Sequence, residues 1–155
     1  MNGSLTSHRR RASPGEIVLR LIVAACLAYS AYVHADLHSQ YKAIKTGTLS
    51  QSDVFVIQAI VASVAAALVL FVGRIPGWTI AFLVAAGSLA AVLVYRYYNV
   101  GTIGPLPNMY EPAWYAEKSR SAIAEGVAAG LSLLRLVVFA ARPTTRRPVL
   151  SLPKT

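Results

Sequence analysis

The residues of this sequence that could most clearly form a functional site are ionisable side chains inside long apolar segments. Glu125 and Arg96 are the main pair, and a charge left alone at the centre of a bilayer costs roughly 2.5 to 3.5 kcal/mol. Glu125 lies seven residues beyond Lys118, which is about 10 Å along a helix. Arg96 lies near the end of the preceding apolar segment. The sequence therefore predicts an ion pair between Glu125 and Arg96.

Further polar side chains approach the same depth from the other apolar segments. Gln58 lies five residues beyond Asp53, and Tyr29 lies in the second half of the first segment. The predicted polar cluster in the outer half of the bundle consists of Glu125, Arg96, Gln58, Tyr29, Tyr95 and His34. Two interpretations stay open. The first is a structural ion pair that holds two helices in register. The second is a functional site, either a pocket for a small polar or amphipathic molecule such as a quinone head or a proton site.

A metal-like constellation occurs at the end of the first apolar segment. His34 and His38 are four residues apart around Asp36, so on a helix they share one face and could hold an ion. The general-base glutamate of a zincin motif is missing, and the position favours structural or solvated histidines without a metal. The single cysteine, Cys26, excludes an internal disulfide or a C-x-x-C site. The sequence also lacks a phosphate loop, a nucleophile elbow and a paired-carboxylate site.

Composition indicates the environment of these residues. Hydrophobic residues make up 55% of the 155, and charged residues only 14%, against about 25% charged in an average soluble domain. Mean hydropathy is +0.52. These values argue against a disordered chain, a collagen-like repeat and an ordinary water-soluble domain. The net charge of +9 therefore favours a membrane surface as partner and not nucleic acid.

Four segments approach the roughly 20 apolar residues that a spanning helix needs. They cover about 17–34, 54–72, 78–98 and 119–141, and in lipid only a helix bonds its backbone groups within one segment. The fold class predicted is an all-α integral membrane protein, a four-transmembrane-helix bundle over 16–141. A basic tail, 1–15, precedes it, and a basic proline-rich tail, 142–155, follows it.

The fourth segment carries a polar stripe at helical spacing, which is expected to face the bundle interior. Its members are Glu117, Ser121, Glu125, Ser132 and Arg135. The connection 101–115 before this segment contains three prolines, and with Tyr95, Tyr97 and Tyr98 it places six aromatic residues near one interface. Such a connection forms an aromatic belt or folds over the outer mouth of the bundle as a lid.

Basic residues are unevenly distributed between the two sides of the predicted bundle. The tails and the second connection hold eight, while the first and third connections hold four. The positive-inside rule then places both termini in the cytoplasm. The alternative is a cleaved signal peptide ending at Ala35. Arg20 interrupts the apolar run early, and cleavage would leave three spans, so we expect the first segment to be retained.

With a short basic N-terminus, four apolar segments, a polar outer edge on the first and Glu125 deep in the fourth, the chain resembles small four-helix bacterial membrane proteins of the DoxX-like kind. The resemblance covers roughly Glu16 to Ala141. It implies membrane subunits associated with thiol or sulfur oxidation and quinone reduction. Because Cys26 has no second cysteine to pair with, thiol chemistry on this chain's own residues is not expected.

Three functions remain open from the sequence. The leading one is a small accessory protein of the bacterial cytoplasmic membrane that binds a partner protein, a second copy or a lipid-like ligand, with no catalysis of its own and no cofactor. The second is a DoxX-like oxidoreductase subunit that docks quinone. The third is a proton-coupled transporter that uses Glu125, although helix breaks and an inverted repeat are not evident in the sequence.

The charge distribution predicts the outcome of a reporter-fusion experiment. Fusions after Arg74 and after Thr155 should both report a cytoplasmic position, and a fusion after Gly47 should report an external one. The measurement is the activity of a reporter that works on only one side of the membrane. An external C-terminus would contradict the predicted topology.

Overall fold

The computed structural model describes residues 13–42 and 47–141. Its four helices are α1 (Pro14–Leu37), α2 (Gln51–Ala67), α3 (Ile75–Tyr97) and α4 (Ala116–Ala140), and a π-helical turn (Leu68–Val72) continues α2. The described residues contain no strand, only an isolated bridge between Ile103 and Leu106. All four helices are long and apolar enough to cross a membrane. This confirms the predicted all-helical class and the number of apolar helices.

Each helix begins about one turn before its apolar segment, and polar capping residues provide this start in α1 and α2. Ser13 accepts a hydrogen bond from the Glu16 backbone amide, and Pro14 occupies the first turn of α1, where its missing N–H costs nothing. Ser50 and Asp53 form a reciprocal capping box at the start of α2. The predicted tails lie outside the described residues, apart from 13–15.

The four antiparallel helices pack in a ring in which α1 contacts α2 and α4, and α3 contacts α4 and, less closely, α2. Small residues dominate the interior: Ala65, Ala81, Ala85 and Ala128 are fully buried. Trp78 and Leu27 are also buried, but many other large apolar side chains point outward, and Phe71 is 80% exposed. Small interior residues let helix backbones approach closely, and the apolar exterior matches a hydrocarbon environment.

We call the loop end of the bundle the end where α1 and α3 finish and α2 and α4 begin, and the tail end the opposite one. The connection between α3 and α4 lies across the loop end. Its Pro107 is buried, the Leu49 amide donates to the Pro105 carbonyl at 3.0 Å, and the Glu111 amide donates to the Tyr95 carbonyl at 3.1 Å. The connection is therefore fixed to α3 and to the residues that precede α2.

At the tail end, Gly73 ends the π-helical turn. Its φ of +54° is left-handed, and its amide donates to the Leu68 carbonyl at 3.1 Å. A Cβ at this position would lie 1.8 Å from Cζ of Arg20. Glycine is therefore required both by the backbone conformation and by the close approach of the Arg20 guanidinium.

Gly73→Ala should lower the free energy of unfolding by at least about 1 kcal/mol, the approximate cost of placing an L-residue in the left-handed region. Displacement of Arg20 adds to this loss. Thermal unfolding in detergent, followed by circular dichroism, measures it. Gly130→Ala is the control, since that helical glycine has nothing within 4 Å of a new Cβ and should be neutral or stabilising. Equal stability of the two variants would contradict the assignment.

Candidate functional site

The centre of the candidate site is the carboxyl group of Glu125, which is 1% exposed. Its Oε1 accepts hydrogen bonds from the hydroxyls of Ser30 at 2.7 Å, Ser88 at 2.7 Å and Ser121 at 3.1 Å. Ser30 belongs to α1, Ser88 to α3 and Ser121 to α4 itself. One carboxyl oxygen therefore joins three helices.

These groups meet because their helices place them at one level. Glu125 lies nine residues after the start of α4, and Ser88 lies nine residues before the end of α3. Ser121 lies one turn before Glu125 on the same face of α4, and Ser30 lies seven residues before the end of α1. In antiparallel helices, equal distances from the same end give equal depth, so Ser88 lies level with Glu125, and Ser30 and Ser121 lie within about one turn of that level.

The second carboxyl oxygen of Glu125 differs from the first. Oε2 is buried, and within the described residues it has no hydrogen-bond partner. A buried polar atom without a partner costs about 1 to 3 kcal/mol, and such atoms are a recognised feature of functional groups. The carboxyl group thus retains hydrogen-bonding capacity that the described residues do not use.

A cavity of about 190 Å³ lies between the four helices at the loop end, next to this carboxyl group. Its wall is mostly apolar, and includes Val33, Leu37, Val54, Phe55, Val92 and Met109. The polar residues that line it include His34, Gln58, Ser88, Tyr95, Lys118 and Ser121. Ser88 and Ser121 therefore separate the cavity from Glu125.

The polar groups of the cavity offer both a donor and an acceptor. Gln58 Nε2 is buried, and no hydrogen-bond partner for it is found in the described part of the chain, so it is an unused donor. Ser88 gives its single hydroxyl proton to Glu125, which leaves its oxygen lone pairs as acceptors. A mostly apolar pocket with a few placed polar groups is the usual form of a small-molecule site.

The connection between α3 and α4 borders the cavity at the loop end. Met109, Glu111 and Tyr115 of this connection line it. The Tyr115 and Tyr41 hydroxyls are 3.4 Å apart, and burial together with this hydrogen bond raises the pKa of Tyr115 well above its ordinary value. Lys118 Nζ donates to the carbonyl oxygen of Glu111. This arrangement supports the lid interpretation.

The histidines of the metal-like constellation serve separate local contacts. His34 Nδ1 bonds the Ser30 carbonyl at 2.8 Å, and its ring packs edge-on against Phe55. His38 Nδ1 bonds the Ala35 carbonyl at 2.7 Å. Within 13–42 and 47–141, no three His, Cys, Asp or Glu side chains are grouped as they would be to hold a metal ion. Of the two, His34 lines the cavity.

The predicted ion pair between Glu125 and Arg96 is wrong. Arg96 lies one residue before the end of α3, which places it about 12 Å above Glu125 along the bundle axis at roughly 1.5 Å per residue. Its guanidinium lies 5.2 Å from the ring centre of Tyr97 and 5.8 Å from that of Trp114. A long cationic side chain near a helix end turns toward the interface, and Arg96 does so.

The structure brings together only part of the predicted cluster. Gln58, Tyr95 and His34 line the cavity beside the Glu125 serines, whereas Tyr29 pairs with the exposed Tyr32, ring centres 6.5 Å apart. The stripe on α4 faces inward as predicted from Ser121 onward, but its first member, Glu117, is exposed.

Sequence reasoning missed Ser30 and Ser88. The available signal was a hydroxyl at the depth of Glu125 in an otherwise apolar run. Serine is common in apolar helices, however, and the sequence does not show which serines share a level with Glu125.

No protein-family model, curated protein or solved structure matches this chain. The resemblance to DoxX-like proteins therefore has no support from these comparisons. The class defined by the fold and the site is a four-helix bundle with apolar outer faces and an internal cavity above a buried carboxyl group.

Ser88→Ala should lower the free energy of unfolding by about 1 kcal/mol, because it removes one hydroxyl from a buried carboxyl group that keeps two. Ser63→Ala is the matched control: Ser63 is exposed, and its hydroxyl bonds the Ala59 carbonyl of its own helix. This control should change stability by less than about 0.5 kcal/mol. Chemical unfolding in detergent measures both values. Indistinguishable losses would show that the Ser88 hydrogen bond does not stabilise the bundle.

Proposed function

We propose that this protein is a small accessory protein of the bacterial cytoplasmic membrane that binds a lipid-like molecule in the cavity at the loop end. Both tails lie in the cytoplasm, in line with the excess of basic residues there, and the cavity then opens toward the outer leaflet. The bound molecule inserts its head between the four helices and leaves its apolar tail in the bilayer. Binding, without catalysis, is the proposed activity.

The observation that carries this proposal is the unused hydrogen-bonding capacity around a mostly apolar cavity. Gln58 Nε2 needs an acceptor, and the Ser88 oxygen accepts once its proton has gone to Glu125. The cavity holds about 190 Å³, and an apolar cavity of about 150 Å³ accepts one benzene molecule. These properties suit an uncharged head of one ring that carries a hydroxyl or carbonyl group.

The second candidate function is the docking of quinone by a DoxX-like oxidoreductase subunit. A quinone head is a single ring, and its carbonyl oxygen is an acceptor for the Gln58 amide. Reduction to the quinol adds hydroxyl donors for Ser88. The size of the cavity and its unpartnered amide favour this candidate over a proton-coupled transporter.

The ligand content of purified protein tests the proposal. Gly87 lines the cavity at an exposed position, and a Cβ there meets nothing within 4 Å, so Gly87→Leu narrows the cavity without a backbone clash. Gly130→Leu is the matched control at a helical glycine that is equally open and outside the cavity. Each protein is purified in mild detergent and extracted with organic solvent, and mass spectrometry identifies the co-purifying molecules.

Wild-type protein and Gly130→Leu should retain the same amphipathic molecule, and Gly87→Leu should lose most of it. Equal retention by all three proteins, or retention by none, would contradict binding in the cavity. A short-chain quinone added to protein freed of its ligand separates the two candidates. If the quinone raises the unfolding temperature of wild type but not that of Gly87→Leu, the quinone-docking function is favoured. If it raises neither, binding of a different lipid-like molecule is favoured.

A further inference from the structure

A second cluster of polar groups lies at the tail end, far from the cavity. Glu16 and Arg20 of α1 are joined there by a 3.2 Å contact between Oε1 and Nε. Glu16 Oε2 pairs with Nη2 of Arg135 from α4. Arg20 Nη2 also donates to the Gly73 carbonyl at 3.2 Å. The cluster thus connects α1, α4 and the turn between α2 and α3.

The charges of this cluster do not cancel. Two guanidinium groups face one carboxylate, which leaves one positive charge, and the three side chains keep only 10 to 19% exposure. The hydrogen bonds are also incomplete, since Arg135 Nε is buried without a partner among the described residues. An arginine fork binds a phosphate with two parallel N–H bonds, so an anion of this kind at the partly exposed Arg20 and Arg135 side chains supplies the missing charge.

The depth and direction of the two arginines indicate where this anion lies. Arg20 is six residues from the start of α1, and Arg135 is five residues from the end of α4, or about 9 and 7.5 Å from the helix ends. The Arg135 guanidinium lies 3.8 Å from the ring centre of Phe139, one turn nearer the end. Arg20 reaches to Gly73 beyond the end of α2. Both side chains therefore extend from the apolar layer toward the headgroup layer.

We propose that Arg20 and Arg135 bind the phosphate group of an anionic membrane lipid at the tail end, with Glu16 positioning both guanidinium groups. Ile17 and Leu21 on the same turns of α1 are about half exposed and provide apolar surface for the acyl chains. Basic pockets between helices at a membrane surface recognise lipid headgroups by the same chemistry. This site is separate from the cavity and does not depend on the ligand proposed for it.

Native mass spectrometry of the full chain in mild detergent tests the site, with phosphatidylglycerol and phosphatidylcholine as probes. Wild type should retain phosphatidylglycerol in preference to phosphatidylcholine. Arg135→Gln should weaken this retention about fivefold, as expected for one basic residue near the surface. Arg74→Gln is the control: it removes one exposed charge at the same end, and it should have a smaller effect. Equal losses in the two variants would show general charge attraction and overturn the site.

Glu16→Gln provides a test that does not depend on the stability of the arginine variants. It removes the competing negative charge, so a lipid site should bind phosphatidylglycerol more tightly than wild type even if the bundle unfolds at a lower temperature. If the cluster is only structural, stability falls and lipid retention does not rise, which would overturn the proposal. Inorganic phosphate at matched ionic strength identifies the source: a stabilisation equal to that by phosphatidylglycerol would assign the site to free phosphate and not to lipid.

Discussion

The interaction on which the rest of the structure depends is the acceptance of three hydroxyl hydrogen bonds by one oxygen of Glu125. A carboxyl group buried in an apolar interior is costly unless it is hydrogen-bonded, and two of its partners come from other helices. Only the assembled bundle supplies all three donors to this oxygen. The contact therefore fixes the relative depth of α1, α3 and α4, and with it the position of the cavity above Ser88 and Ser121.

The packing around this contact inverts the pattern of a water-soluble bundle. Alanines such as Ala65 and Ala81 fill the interior, while bulky residues such as Phe71 and Ile123 face outward. In lipid, burial of large apolar side chains gives little advantage, so close approach and interhelical hydrogen bonds decide the packing. At the loop end, where the polar residues and the bulkier Phe55 and Tyr95 meet, the helices leave a cavity.

The four helices and the inward stripe of α4 could be predicted because both depend on local patterns, namely hydropathy and helical spacing. The partner of Glu125 could not. Helix α4 starts at Ala116 instead of 119, so Glu125 lies about 4.5 Å further from the helix start than expected, whereas Arg96 lies in the last turn of α3. The serines that replace the expected arginine are found only when the registers of three helices are known. Likewise, Glu16 was not recognised as the partner of Arg135, because the two residues are 119 positions apart.

The first and last helices are joined at two levels, by Ser30 with Glu125 near the loop end and by Glu16 with Arg135 at the tail end. By contrast, α2 and α3 are adjacent in sequence, pack less closely, and meet through apolar and small side chains. The ring of helices is thus held more strongly at the α1–α4 interface than at the α2–α3 interface. Since both helices of the α2–α3 interface line the cavity, one wall of the cavity is formed by the helix pair that packs less closely.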